Sequence, residues 1–96
     1  MTEAQVQRDI MKYLSIRGIP YARMNAGRKG GVHLAPEGWP DLVVCYKSRF
    51  VAIECKRPGG KMRKAQDIML HELVMHGALV IVAESVRDVA NSLVGL

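Results

Sequence analysis

The strongest constraint on this chain is a pair of apolar runs separated by only a few residues. The runs are Leu42–Tyr46 and Phe50–Cys55, and their length and their β-branched and aromatic content are typical of two strands in a tight hairpin. A turn centred on residues 47–48 fixes every cross-strand pair. It predicts that Asp41 lies directly opposite Glu54, at the open end of the hairpin.

Two carboxylates that face each other at a strand end repel unless a cation lies between them. Directly opposed residues on one face of an antiparallel pair have Cβ atoms about 4.5 to 5.5 Å apart. Side chains alternate along a strand, so Lys56 returns to the face of Glu54 about 7 Å further on. The hairpin therefore predicts that two carboxylates and an ammonium group converge at one place.

Such a set of groups suits a divalent metal ion and phosphoryl chemistry. Asp41, Glu54, the backbone carbonyl of Cys55 and waters form the hard-oxygen ligand set that Mg²⁺ prefers, and Mn²⁺ can substitute. The ion would polarise a phosphoryl oxygen, while Lys56 orients the attacking water or neutralises the transition state. The sequence thus predicts phosphodiester hydrolysis with Mg²⁺ as the cofactor.

Basic residues flank the acidic pair along the chain. The formal net charge is +5. Clustered basic residues are typical of proteins that bind polyanions, most often nucleic acid, although a solvated basic face gives the same composition. The predicted DNA contacts are Arg23, Arg28 and Lys29 before the acidic pair, and Arg57, Lys61, Arg63 and Lys64 after it.

Length and composition are those of one small domain. The chain has 96 residues, of which 49% are apolar and 24% are charged, so we expect a single domain over residues 1–96. The absence of an apolar run of about 18 residues and of a signal-like N-terminus predicts an intracellular, cytoplasmic protein, in the host cytoplasm if its source is viral. Cys45 and Cys55 point to opposite faces of the hairpin, so we expect both thiols to be free.

Helix and strand signals give the element order α-β-β-β-α-β-α. Thr2 and Gln5 fit a capping box at the start of the first helix, and Ser85 fits the N-cap of the last. Residues 25–39 are too rich in glycine for a regular element, so a loop is expected there. The expected elements are a helix over 3–17, a strand over 21–24, the two hairpin strands, a helix over 62–76, a strand over 78–83 and a final helix over 86–93.

The distribution of apolar residues predicts an α/β fold with a central mixed sheet flanked by helices. Both faces of the hairpin are apolar away from its acidic end, which indicates that helices cover both sides. The second helix is apolar around its whole circumference, so we expect burial on all sides. In a chain this small, one side of that helix would contact a second copy, giving a homodimer. The alternative is that the first or the last helix covers that side within one chain.

Two polar residues on the helices have two interpretations each. Glu3 lies in the first turn of the first helix, where it either joins the metal site or complements the helix dipole. Gln66 lies on an inward side of the second helix, where it holds a water or a phosphate, or is a satisfied buried amide. No CxxC pair, HExxH or serine elbow occurs, which argues against zinc and acyl-transfer chemistry.

An ordered series of motifs runs along almost the whole chain. The motifs are Glu3 with Gln7, Arg23-Met-Asn25-Ala-Gly27, Gly38-Trp-Pro40-Asp41, Glu54-Cys-Lys56 and Gln66. At these residues the chain resembles the PD-(D/E)xK nuclease superfamily, and within it the virus-type replication-repair nucleases, the VRR-NUC domains. The resemblance implies a restriction-endonuclease-like core of order α-β-β-β-α-β and a divalent metal held by Asp41, Glu54 and the Cys55 carbonyl. It also implies water activation by Lys56, a place in the site for Glu3 and Gln66, and DNA contact by Asn25.

The leading functional hypothesis is a Mg²⁺-dependent, structure-selective DNA endonuclease. Stand-alone viral members of the group are similar to dimeric Holliday-junction resolvases, so the resemblance favours a homodimer, joined through the second helix, that cuts branched DNA or four-way junctions in phage DNA repair. One alternative is a non-catalytic basic DNA-binding module. Another is a monomeric flap nuclease or exonuclease subunit of a larger repair machine.

Overall fold

A four-stranded mixed sheet carries the site, with three helices packed around it. The computed structural model describes residues 1–24, 28–29, 32–33 and 35–96, with the side chains of 28–29 and 32–33 left undescribed. The helices are α1 (Glu3–Ile16), α2 (Lys64–Met75) and α3 (Val86–Val94). The strands are β1 (Tyr21–Arg23), β2 (Arg28–Lys29), β3 (Val32–His33), β4 (Leu42–Tyr46), β5 (Arg49–Cys55) and β6 (Leu79–Ala83).

The sheet order is β1-β4-β5-β6. β4 pairs antiparallel with both β1 and β5, whereas β5 pairs parallel with β6. The predicted α/β fold with a mixed sheet flanked by helices is therefore confirmed. In the described part of the chain, no helix has both the length and the apolar character needed to cross a bilayer.

The hairpin of β4 and β5 has the predicted register. Leu42 lies opposite Ile53, and the pairs continue to the turn without a bulge. Lys47 and Ser48 form that turn with φ angles of 51° and 64°, and positive φ at both positions gives the twist that a two-residue hairpin needs. Asp41 consequently lies one step beyond the last pair, level with Glu54.

The prediction of no regular element in residues 25–39 was wrong. β2 and β3 form a second, two-stranded antiparallel ladder in which Arg28 lies opposite His33 and Lys29 opposite Val32. Among the described residues there are therefore five strands before α2, in place of the predicted three.

One face of the sheet holds the hydrophobic core. The side chains of Leu42, Val44, Val51 and Ile53 are buried there, as predicted. They pack in one cluster with the inward residues of α1 and α3, and these two helices also contact each other. The core residues from the helices are Val6, Ile10, Leu14, Val89 and Leu93.

The other face of the sheet is only partly covered. α2 packs against β6, but Phe50 and Val82 are each 45% exposed. The prediction that helices cover both sides of the hairpin is thus wrong for the Phe50 end of this face. Cys45 lies exposed on this face and Cys55 is buried on the other, and both thiols are free as predicted.

The prediction that α2 is buried on all sides was also wrong within one chain. Only Gln66 and Leu70 of this helix are buried, while Ile68 and Met75 are 56% and 69% exposed. A seven-residue separation on a helix places these two apolar side chains in one line on the outer side. Since α1 and α3 pack on the opposite face of the sheet, they do not cover α2 in the way the alternative interpretation required.

Candidate active site

Three carboxylates from three elements meet at the open end of the hairpin. One oxygen each of Glu3, Asp41 and Glu54 lies within 4.8 Å of the others. Glu3 is held there by the predicted capping box, in which Thr2 and Gln5 exchange side-chain to backbone hydrogen bonds of 2.7 and 3.1 Å. The box fixes where α1 begins and hence the direction of its first-turn carboxylate.

Asp41 is fixed by hydrogen bonds to both neighbouring strands. Its Oδ2 accepts a bond of 2.8 Å from the backbone N–H of Cys55. Its carbonyl accepts a bond of 2.7 Å from the backbone N–H of Met24, just after β1. The carboxylate is therefore positioned by the sheet itself and needs no side-chain partner to hold it beside Glu54.

Gln66 joins Glu54 to Lys56. Its Nε2 donates to Glu54 Oε2 at 2.9 Å, and its Oε1 accepts from Lys56 Nζ at 2.8 Å. The same Oε1 accepts from the backbone N–H of Arg63 at 2.9 Å, at the start of α2. Because an ammonium only donates and a carboxylate only accepts, these partners fix the orientation of the amide. Gln66 is thus a bonded buried amide, one of its two sequence interpretations, and it lies inside the site.

Lys56 and Glu54 form a buried ion pair. Lys56 Nζ lies 3.5 Å from Glu54 Oε2, and the two residues are 4% and 0% exposed. A single ammonium offsets one of the three clustered carboxylates. The site therefore keeps an excess of negative charge around the buried Glu54, which favours binding of a cation.

The donor set fits a hard divalent cation. Glu54 Oε1 is buried and has no hydrogen-bond partner among the described residues, although a buried carboxylate oxygen normally has one. Together with the oxygens of Asp41 and Glu3, it supplies the all-oxygen ligands that Mg²⁺ and Mn²⁺ prefer. The carbonyl of Cys55 as a further ligand stays a prediction.

Burial and mutual repulsion raise the proton affinity of the cluster. Burial first, and then the charge of Asp41, raise the pKa of Glu54 to about 7 from 4.5. The pKa of Asp41 is also raised, mainly by burial, against the opposing effect of the hydrogen bond from Cys55. Burial raises the pKa of the Cys55 thiol as well.

We expect the free energy of unfolding to fall as the pH rises from about 4.5 to about 7 in the absence of metal. In that range the unfolded chain releases the Glu54 proton while the folded protein keeps it, since the folded pKa is about 7 against 4.5. The melting temperature in EDTA should be about 5 to 10 °C lower at pH 8 than at pH 5. Mg²⁺ should restore most of this difference at pH 8 and little at pH 5, as measured by differential scanning fluorimetry.

Glu54→Gln is the matched variant for that measurement. It keeps the size of the side chain and its bond to Gln66, but it cannot titrate. Its melting temperature should change much less between the two pH values. An unchanged pH dependence in this variant would show that another group is responsible.

A pocket of about 240 Å³ opens beside the cluster. Trp39 and Glu37 line it, although neither residue was assigned a role in the site from the sequence. Only their position in the sequence next to Pro40-Asp41 could have indicated that they lie at the site. The full lining is Glu3, Glu37, Gly38, Trp39, Asp41, Arg63, Ala65 and Gln66.

Gly38 controls how closely this segment approaches α2. Its φ of +82° lies in the left-handed region, and a Cβ at this position would collide with the backbone carbonyl of Ala65. We expect Gly38→Ala to lower the free energy of unfolding by about 2 kcal/mol more than Gly18→Ala, and to displace Asp41. Gly18 has a similar φ of +68° with no atom near its missing Cβ, so it isolates the backbone cost of about 1 kcal/mol. Equal melting temperatures and equal cleavage rates for the two variants would contradict this role.

The structure describes the predicted DNA-binding residues to different degrees. Arg63 lines the 240 Å³ pocket. Asn25 lies outside the described residues, and Arg28 and Lys29 are placed only by their backbone in β2. Contact with DNA stays a prediction for all eight residues. The predicted basic residues with exposed side chains are Arg23, Arg57, Lys61, Arg63 and Lys64.

Comparison with known proteins identifies a family. The family model described as the VRR-NUC domain matches residues 32–87, a range that contains Asp41, Glu54, Lys56 and Gln66. No curated protein and no solved structure matches. Glu3 lies outside the matched range, so its place in the cluster rests on the geometry alone.

Proposed function

Since the chain belongs to the VRR-NUC domain family, which is a family of nucleases, we propose that it is a Mg²⁺-dependent endonuclease that hydrolyses phosphodiester bonds in branched DNA. The observation that carries this proposal is the cluster of Glu3, Asp41 and Glu54 with Lys56 beside it. Mn²⁺ is expected to substitute for Mg²⁺.

Each residue of the cluster has a role in this reaction. Asp41 and Glu54 hold the ion, with Glu3 and the Cys55 carbonyl as further ligands. When bound, the ion supplies Lewis-acid stabilisation of charge on the phosphate. Lys56 orients the attacking water and neutralises charge in the transition state, and Gln66 holds the Lys56 ammonium in place.

The basic residues account for binding of the DNA backbone. Arg63 lines the pocket beside a site whose own charge is negative, so phosphates are attracted to this arginine and are repelled from the carboxylates unless a cation is present. A non-catalytic DNA-binding module has no physical reason to bury Glu54 beside Asp41. The cluster therefore favours an enzyme over a simple binding module.

We further propose that residues 1–96 act as one nuclease domain and assemble as a homodimer through the outer side of α2. Ile68 and Met75 form an exposed apolar line there, and contiguous exposed apolar surface is typical of protein interaction sites. Two copies joined at this surface would present two sites to a four-way junction, as a Holliday-junction resolvase requires. A monomeric flap nuclease or exonuclease shares the same site but leaves this surface without a function.

A substrate panel tests the proposed activity. Four-way junctions, flaps, splayed arms and plain duplexes are incubated with the protein in Mg²⁺ and in EDTA. We expect cleavage in Mg²⁺ only, with four-way junctions cut fastest. Cleavage in EDTA, or no cleavage of any substrate, would contradict the proposal.

The assembly is tested separately by light scattering after size exclusion. The wild-type protein should have the mass of a dimer at micromolar concentration. Ile68→Lys combined with Met75→Lys should give a monomer and reduce paired cuts in the junction. Val94→Lys, at an apolar residue of α3 that is 83% exposed, is the control and should leave the dimer intact.

A further inference from the structure

A second, smaller pocket lies between α1 and β1. Its volume is about 160 Å³. Met11, which packs against the hydrophobic core, contributes an apolar wall, and three of the other lining residues carry hydrogen-bond donors. The lining residues are Ala4, Gln7, Arg8, Met11 and Arg23.

The charges that line this pocket are all positive. Arg8 and Arg23 each contribute a guanidinium, and no carboxylate is among the lining residues. Within the described part of the chain, neither arginine makes an ion pair with an acidic side chain. Two like charges on one small pocket repel each other, and an anion between them removes the repulsion. Guanidinium groups and a side-chain amide are donors suited to the oxygens of a phosphate.

The position of the pocket relates it to the acidic cluster. Gln7 lies one helical turn after Glu3, or about 6 Å along α1. Arg23 lies opposite Leu42 in the sheet, one residue before Met24, whose backbone N–H donates to the Asp41 carbonyl. The pocket therefore lies one helical turn from Glu3 and one residue along the chain from the backbone bond that holds Asp41.

Arg63 lies among the residues of the pocket beside the cluster. The arginines at residues 8 and 23 line a separate pocket. A nucleic-acid strand that crosses the carboxylates can therefore meet cationic groups in both pockets. This arrangement lets flanking phosphates fix the strand while the central phosphate meets the metal site.

We propose that Arg8, Gln7 and Arg23 form a subsite for a backbone phosphate of the DNA strand, one or two nucleotides from the bond that is cut. The inference rests on the proposed nuclease function and adds to it a positioning role for Arg8 and Gln7. Because the proposed contact is with the backbone, we expect the subsite to bind DNA independently of base sequence. The subsite would determine which phosphate of the DNA strand lies over the carboxylates.

The test combines protein variants with neutral phosphates in the DNA. A four-way junction carries one methylphosphonate, an uncharged phosphate analogue, at successive positions along one strand. Affinity is measured by fluorescence anisotropy in Ca²⁺, without a need for cleavage. For the wild-type protein we expect the affinity to fall by about three- to tenfold when the methylphosphonate is at one particular position of the strand.

The double variant Arg8→Gln/Arg23→Gln should show no further loss at that position. In this double variant, the slope of log affinity against log salt concentration should also be smaller in magnitude by about 1 to 2. Arg87→Gln, which makes the same change at an exposed residue of α3, should behave as the wild type. Gln7→Leu should weaken the effect of the analogue while preserving the melting temperature.

The outcomes separate this inference from the proposed function. If the wild-type protein cuts DNA but the double variant retains the full effect of the methylphosphonate, the subsite is overturned and the nuclease function stands. If the wild-type protein cuts no substrate but the effect disappears in the double variant, the phosphate subsite stands and the nuclease function fails. Loss of affinity at all positions alike would also overturn the subsite, because it would indicate a general effect of charge.

Discussion

Asp41→Asn is expected to slow DNA cleavage by about a thousandfold or more while leaving DNA binding intact. The substitution removes one negative ligand from the three-carboxylate cluster, and stabilisation of charge by a bound ion is worth several kcal/mol in such reactions. Its amide oxygen can still accept the hydrogen bond from the Cys55 N–H, so the strand end should keep its shape. Single-turnover cleavage in Mg²⁺ measures the loss, and anisotropy in Ca²⁺ measures binding.

The DNA affinity and the melting temperature of the Asp41 variant distinguish loss of a metal ligand from general damage to the protein. Without metal, the variant should bind DNA slightly more tightly and melt at a higher temperature than the wild type, because repulsion from Asp41 is one cause of the raised pKa of Glu54. Asp9→Asn on the exposed side of α1 is the charge-matched control and should cut normally. Retention of more than about a tenth of the wild-type rate by the Asp41 variant would exclude this carboxylate as an essential ligand.

Lys56→Met is expected to lower the free energy of unfolding by about 3 to 5 kcal/mol and to abolish cleavage. Lys56 is the only cation within ion-pair distance of Glu54 among the described residues, and a buried charge without its partner is strongly destabilising. The methionine fills a similar volume, so the loss reflects charge and not a cavity. Thermal or chemical unfolding measures it, with Lys12→Met on α1 as the exposed control.

A double variant isolates the ion pair. Glu54→Gln in the Lys56→Met background removes the unpaired charge, so it should recover most of the stability although no activity returns. Mg²⁺ should stabilise Lys56→Met more than it stabilises the wild type, because a cation can replace the missing ammonium. If the two substitutions are additive in stability, Lys56 and Glu54 do not interact in the way proposed.

The hairpin shows how much of the site could be predicted from the sequence. A two-residue turn and side-chain alternation bring Asp41, Glu54 and Lys56 together by local geometry, with no knowledge of the rest of the fold. Local geometry was not enough to place Glu3, since its distance from the other carboxylates depends on how α1 packs on the sheet. The sequence left it with two interpretations, and the structure brings it to the cluster.

Other features depend on contacts that no local pattern reveals. The exposure of Ile68 and Met75 could not be predicted, because an apolar helix surface looks the same whether its own chain or a partner covers it. The bonds of Gln66 to both Glu54 and Lys56 depend on where α2 begins over the sheet. Arg8 was missed because its pocket forms only when β1 brings Arg23 beside α1.

The shared carbonyl of Gln66 makes the first turn of α2 a natural reporter of the active site. The backbone amide of Arg63 and the ammonium of Lys56 donate to the same oxygen. A change in the charge of Glu54 alters its attraction for the Lys56 ammonium. It therefore alters the hydrogen bonds that Lys56 and the Arg63 N–H donate to the Gln66 oxygen. Amide hydrogen exchange at Arg63 should respond to metal occupancy, although this N–H contacts no carboxylate. The exchange rate at the start of α2 would thus report whether the carboxylate site on β5 holds a metal ion.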